Sequence, residues 1–173
     1  NSQYLFENFV VGSSNQLAHA AAEAVAERPG TTYNPFFIYG GTGLGKTHLS
    51  QAIGNRVLNE NPNKKVLYVG SETFLNEMVE SIRNAENAQF RGKYRELDVL
   101  ILDDVHFADD ATAKFLLYLL RNFTEGPFLF VGSFTDGEPG ETARKRLAFS
   151  QWLKSFKSLI KVHHIQLQRL SKP

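Results

Sequence analysis

The 173-residue sequence predicts an α/β fold, a three-layer sandwich with a mostly parallel, five-stranded sheet. Three observations carry this. Short apolar runs alternate with stretches of helical periodicity along the chain. Two of the runs, Phe36–Tyr39 and Val99–Leu102, are apolar throughout, as strands covered on both faces are. A glycine-rich turn, residues 40–47, joins the first of these runs to a helix.

The elements follow in order. Phe6, Phe9 and Val10 form an apolar approach. Ser13 or Ser14 is placed to cap a helix through Leu17, Ala21, Ala24 and Val25, which Arg28, Pro29 and Gly30 stop. Phe36–Tyr39 is the first strand. A helix from Lys46 to about Glu60 ends at Asn61-Pro62, because proline cannot continue it. Lys65–Val69 is the second strand. Ser71 and Glu72 open a helix whose apolar face is Phe74, Leu75, Met78, Val79 and Ile82. A short polar helix covers Ala85 to Tyr94, and Val99–Leu102 is the third strand. Phe115–Phe123 is helical, Phe128–Val131 the fourth strand, and Thr135–Gly140 a loop. A helix from 141 to about 157 offers Leu147, Trp152, Leu153 and Phe156 to the core. Leu159–Ile165 is the last strand. One domain, residues 1–173, accommodates all of this.

Composition narrows the chemistry. There is no cysteine, which excludes disulfides, thiolate metal sites and a cysteine nucleophile. No apolar run approaches the ~20 residues that span a bilayer, and no membrane partner is expected. No signal peptide is visible, and a cytoplasmic location is expected. A start at Asn1 rather than Met reads as a trimmed or excised chain. The net charge of +1 hides an asymmetry: residues 1–141 carry −7 and residues 142–173 carry +8.

Residues Gly40, Gly41, Thr42, Gly43, Leu44, Gly45, Lys46 and Thr47 match G-x-x-x-x-G-K-[ST] at every position. Glycines let the backbone curl until its N–H groups converge on phosphate oxygens, and the helix N-terminus adds its positive end. Lys46 reaches the β- and γ-phosphates, and Thr47 ligates Mg²⁺. His48 continues the nucleotide-contacting set. Such a loop needs an acidic partner. Asp103-Asp104, which ends an apolar strand 57 residues after Lys46, supplies one. Asp103 is expected to serve the metal and Asp104 to orient or deprotonate the attacking water, with Lys46 as the other catalytic group. The expected cofactors are therefore ATP or ADP with Mg²⁺. His106 reads as a packing or hydrogen-bonding residue. His163 and His164 cannot share one face of a strand and do not suggest a metal site.

These residues carry a family resemblance. Phe6-Glu7-Asn8-Phe9-Val10-Val11-Gly12, Asn15-Gln16-Leu17-Ala18, Tyr33-Asn34-Pro35, the phosphate loop and His48-Leu49 resemble the ATPase domains of the DnaA family of bacterial replication initiators. So do Gln51–Asn55, Val66–Val69, Phe74–Glu77, Phe90-Arg91, Lys93–Arg95 and Asp98–Leu100. The family is a branch of the AAA+ ATPases. The resemblance is dense from about residue 6 to 104. It implies a P-loop NTPase core acting as an ATP/ADP switch, and without a trans-acting arginine its turnover is expected to be slow. It also implies that Val10, Val11 and Gly12 pack against adenine, with Asn15 just after them. The stretch Glu86–Arg95, with Arg91, Lys93 and Arg95, resembles the helical insertion through which initiators form filaments and engage single-stranded DNA.

Beyond residue 107 the sequence departs from the family pattern, so 1–107 reads as initiator-like and 108–173 as a divergent second half. Asp103-Asp104-Val105-His106-Phe107 stands where the family usually has Asp-Asp-Ile-Gln-Phe. Ser133, Thr135 or Asp136 stands in for the polar sensor, and Arg144 or Arg146 only echoes the arginine finger. No helical lid is discernible, and an isolated monomer is expected. A hybrid or redesigned chain is one reading of the break. A folded P-loop scaffold without biological activity is then the first alternative function. The second is a single-stranded-DNA-binding module using the basic stretch 144–161, where Arg144, Lys145, Arg146, Lys154, Lys157 and Lys161 accompany Trp152 and Phe156.

Overall fold

Every strand of the sheet runs parallel, in the order β2-β3-β4-β1-β5, in a computed structural model of the chain. The structure describes residues 3–105, 114–118, 128–135, 154 and 162–170. The strands are β1 (Phe36–Gly40), β2 (Val66–Gly70), β3 (Val99–Asp103), β4 (Leu129–Thr135) and β5 (His163–Leu167). The helices are α1 (Gln16–Glu27), α2 (Lys46–Glu60), α3 (Ser71–Arg83) and α4 (Asn87–Arg95), and residues 114–118 are helical.

Alternation along the strands explains the three layers. Phe36 and Ile38 of β1, Val99 and Ile101 of β3, and Leu129 and Val131 of β4 face one way. They pack on Ala18, Ala22 and Val25 of α1 and Leu49, Ile53 and Val57 of α2. Phe37, Leu100, Leu102, Phe130 and Phe134 face the other way and pack on Phe74 and Met78 of α3, Phe90 and Tyr94 of α4, and Leu116 and Leu117. A strand buried on both sides cannot show a polar alternation, hence its continuous apolar run.

Several boundaries differ from the sequence reading, three of them for a clear physical reason. The first helix begins at Gln16 with Asn15 as its N-cap position, so neither Ser13 nor Ser14 caps it. Ser14 is turned inward, its hydroxyl buried without a hydrogen-bond partner among the described residues. β4 runs on to Thr135 through Gly132. That glycine is forced: a β-carbon there would lie 2.6 Å from the Phe37 ring, which packs over it. β5 lies at 163–167, further along than Leu159–Ile165. Among the described residues it is an edge strand paired only to β1, and its sequence carries no apolar run. The proposed helix 141–157 lies outside the described residues, apart from exposed Lys154. His106, Asp136, Arg144, Lys145, Arg146, Trp152, Phe156, Lys157 and Lys161 lie outside them as well.

Asp98 fastens β2 to β3 before either strand begins. Its Oδ1 accepts from the Lys64 ammonium at 2.6 Å, and its Oδ2 accepts from the Lys65 backbone N–H at 2.8 Å. Burial pushes this carboxyl up, but the two lysines outweigh it and hold it below its usual range. A depressed folded-state pKa stabilises the protein above the unfolded value, and the contribution is lost as pH falls through the folded one. Asp98→Asn should therefore cost about 1 kcal/mol at pH 7. Its denaturant midpoint and that of the parent should converge as the pH is lowered below the ordinary aspartate range. Urea titrations at a series of pH values check this.

Candidate functional site

The carboxyl ends of the strands gather the chemistry, as in other open α/β sheets. The chain leaves β1 at Gly40 and enters α2 at Lys46. Gly45, the residue before the helix, is left-handed at φ 93°. A side chain there would meet both that strain and the Phe9 ring, 2.7 Å from a built β-carbon. Gly40 is equally constrained, since its β-carbon would lie 2.4 Å from the Leu167 carbonyl oxygen of β5. Lys46 is buried and folds back over the loop, donating from Nζ to the Gly41 carbonyl at 2.8 Å. The first N–H groups of α2, at Lys46, Thr47 and His48, have no intrahelical acceptor and point along the helix axis out of its start.

Asp103 meets this loop from the end of β3. Thr47 Oγ1 donates to its Oδ2 at 3.0 Å. Tyr68 of β2 donates its hydroxyl to the same oxygen, and Ser133 of β4 donates to Oδ1. Strand register explains the convergence. Tyr68 pairs with Ile101, Gly70 with Asp103, and Val131 with Ile101, so Tyr68, Asp103 and Ser133 all project on the α2 face. Burial first, then the bond to Asp103, pushes the Tyr68 phenol far up, so it stays a protonated donor at neutral pH.

Asp104, next in the chain, is left-handed at φ 56°. Its backbone is held from both sides: the N–H donates to Ser133 Oγ at 3.2 Å, and the carbonyl accepts from Ser71 Oγ at 2.6 Å. Asx residues tolerate this conformation better than most, and the turn directs the chain away from the sheet just past Asp103.

The leading segment lies across the start of α2. His48 Nε2 sits 2.7 Å from the Leu5 carbonyl oxygen, and its ring packs edge-on against Tyr4 and Phe9. The imidazole thus anchors this segment, while the His48 backbone remains at the mouth of the helix. Val10 is 69% exposed and Val11 46%. Buried Asn15 sets their backbone: its Oδ1 accepts from the Gly12 N–H at 2.8 Å and its Nδ2 donates to the Val10 carbonyl at 2.9 Å. Leu170 closes the same corner, 2.6 Å from where a Gly12 β-carbon would stand.

The loop residues, Lys46, Thr47, Asp103 and Asp104 therefore lie together, with Val10–Gly12 beside them. Tyr68 and Ser71 were not singled out from sequence. Both touch residues more than 30 positions away, and nothing local marks them. Ser133, one of three sensor choices, bonds Asp103; Thr135 ends β4, and Asp136 lies outside the described residues. Arg91, Lys93 and Arg95 stand apart on α4. Lys93 pairs with Glu77 at 2.6 Å, Arg95 donates to the Tyr118 hydroxyl at 2.6 Å, and Arg91 is exposed.

A model of the bacterial DnaA ATPase domain matches residues 1–136. The chain belongs to this family. The chromosomal replication initiator DnaA of Lacticaseibacillus casei (strain BL23) is 58% identical over 113 residues, covering 65% of this chain and 25% of the relative. Domain III of the Thermotoga maritima DnaA superposes with a TM-score of 0.79 at 37% identity, covering 99% of this chain and 69% of that structure. A replication initiator DnaA bound to AMPPCP and single-stranded DNA gives 0.75 at 29% identity, covering 98% and 51%. The chain thus spans about a quarter of the length of the curated DnaA relative it matches. The family model runs past residue 107 to residue 136, so the expected break at 107 is not where the likeness to the family ends, and the structural likeness covers nearly the whole chain. Five parallel strands with helices on both faces are the α/β P-loop core expected from sequence.

Proposed function

We propose that this chain is the nucleotide switch of a DnaA-type replication initiator: it binds ATP or ADP with Mg²⁺ and hydrolyses ATP slowly. The observation that carries the reading is the contact between Thr47 and Asp103, which joins a complete phosphate loop to an acidic strand end. Two hard oxygen donors 3.0 Å apart at the mouth of a helix suit Mg²⁺, which binds through few protein oxygens plus phosphates. Thr47 and Asp103 would hold that ion, which would neutralise charge developing on the phosphates.

The remaining roles belong to this chain's own groups. The N–H groups at the start of α2 and the Lys46 ammonium bind phosphate oxygens, with Lys46 exchanging its Gly41 carbonyl for the ligand. Asp104, its backbone clamped by Ser71 and Ser133, orients the attacking water. Val10 and Val11 offer exposed apolar surface to the base, on a backbone fixed by Asn15. The AMPPCP in the similar initiator supports this assignment. Isothermal titration with Mg·ADP and Mg·ATP tests it. Saturable 1:1 binding is expected, with ATP turnover far slower than binding. Absence of heat and of competition with a fluorescent ADP analogue would overturn the reading.

A second partner is single-stranded DNA, favoured by one surface. Exposed Arg91 borders a groove lined by Met78, Ile82, Phe90, Phe115 and Tyr118, a cation beside apolar and aromatic side chains that can receive bases. The similar initiator structure that contains single-stranded DNA supports the choice of partner.

A further inference from the structure

Tyr68 presents a mismatch. It lies on an edge strand and is 38% exposed, yet its hydroxyl turns inward to a carboxylate that is only 8% exposed. A carboxylate offers about four lone-pair sites, and three of those on Asp103 are taken. Thr47 and Tyr68 share Oδ2, and Ser133 holds Oδ1.

The three donors are not mechanically alike. Serine and threonine hydroxyls sit on short side chains and swing about one bond to suit their partners. Ser133 already divides its oxygen between Asp103 and the Asp104 N–H. The phenol oxygen of Tyr68 is fixed at the tip of a rigid ring rooted in β2. It grips the carboxylate from a strand that neither the phosphate loop nor Asp104 occupies. With Ser133 on one oxygen and Tyr68 on the other, the plane of the carboxylate is set, and Oδ2 is kept facing Thr47.

We infer that Tyr68 is a positioning residue. It orients Asp103 toward Thr47 for the divalent cation that accompanies the nucleotide. The inference rests on the proposed nucleotide site and adds a residue to it. Partners that orient a metal-binding carboxylate typically contribute 10–100-fold in metal affinity. A ring present only for packing would contribute none.

Tyr68→Phe removes the hydroxyl and keeps the ring. The affinity for ADP is measured calorimetrically on the whole chain, once with saturating Mg²⁺ and once in EDTA. The ratio of the two is the gain due to the ion. In EDTA the variant should match the parent within about twofold, while the gain from Mg²⁺ falls about tenfold. A gain reduced less than fivefold overturns the inference. So does an equal loss with and without the ion, since that would make Tyr68 merely structural. If the unaltered chain itself shows no Mg²⁺-dependent ADP binding, the nucleotide reading fails instead, and the two failures are distinguished.

Discussion

Lys46→Ala should weaken Mg·ATP binding by roughly a hundredfold or more and leave the fold intact. A hydrogen bond to a charged group contributes roughly 1.5–3 kcal/mol, and a lysine that reaches two phosphates makes more than one. At about 1.4 kcal/mol per tenfold, losing 3 kcal/mol is about a hundredfold in Kd. The structural cost is small by comparison. Lys46 gives up its bond to the Gly41 carbonyl, in a loop whose shape rests on its glycines and on Phe9 packing against Gly45. Titration calorimetry of parent and variant, with circular dichroism to confirm the fold, checks both halves. A variant that binds as the parent does would remove Lys46 from the site.

Asp103→Asn should act twice. The first effect is on stability. Asp103 accepts three hydroxyl hydrogen bonds with its two oxygens, whereas asparagine keeps one acceptor oxygen and turns an NH₂ toward a donor. At least one hydroxyl of Thr47, Tyr68 or Ser133 must turn away. In a buried position that costs about 1–3 kcal/mol and should lower the denaturant midpoint accordingly. The second effect is on the ion. Exchanging a carboxylate for a neutral amide removes the negative charge that would face Mg²⁺. ADP affinity measured with Mg²⁺ should fall to near its value in EDTA. The two effects separate experimentally, because one is read in the absence of nucleotide and the other only in its presence. Unchanged Mg²⁺ dependence would show that Asp103 does not serve the ion.

Legibility from sequence followed the range of the interactions. The phosphate loop was readable because all its determinants are local: glycines for the turn, lysine and threonine at the helix start. The α2 boundaries, Lys46 and Glu60, were readable for the same reason, with Asn61-Pro62 as a stop. Asp103 and Asp104 stand out because an apolar run ends abruptly in two acids, and the structure brings Asp103 to Thr47. What escaped was decided across the sheet. Gly132 looks like a strand terminator until the Phe37 ring is seen to occupy the place of its side chain. Asn15 looks like an ordinary residue near a helix start until its amide is found gripping Val10 and Gly12. Tyr68 reads as one more strand aromatic, because its partner lies 35 residues away in the chain. The polar helix α4 was legible, but its anchoring was less so: Phe90 and Tyr94 pack at tilted and edge-on angles with Phe74 and Phe115 under an otherwise charged surface.

The strand order gives the site one more property. β4 lies between β1, which carries the phosphate loop, and β3, which carries Asp103. Loop and acid are therefore held apart at a spacing that only correct pairing on both edges of β4 reproduces. A slip of one residue along β4 would turn Ser133 to the opposite face and put Gly132 or Phe134 in its place. With the proposed nucleotide site, a molecule mispaired at β4 is expected not to bind. The stoichiometry of a nucleotide titration on refolded samples should therefore fall as the mispaired fraction rises.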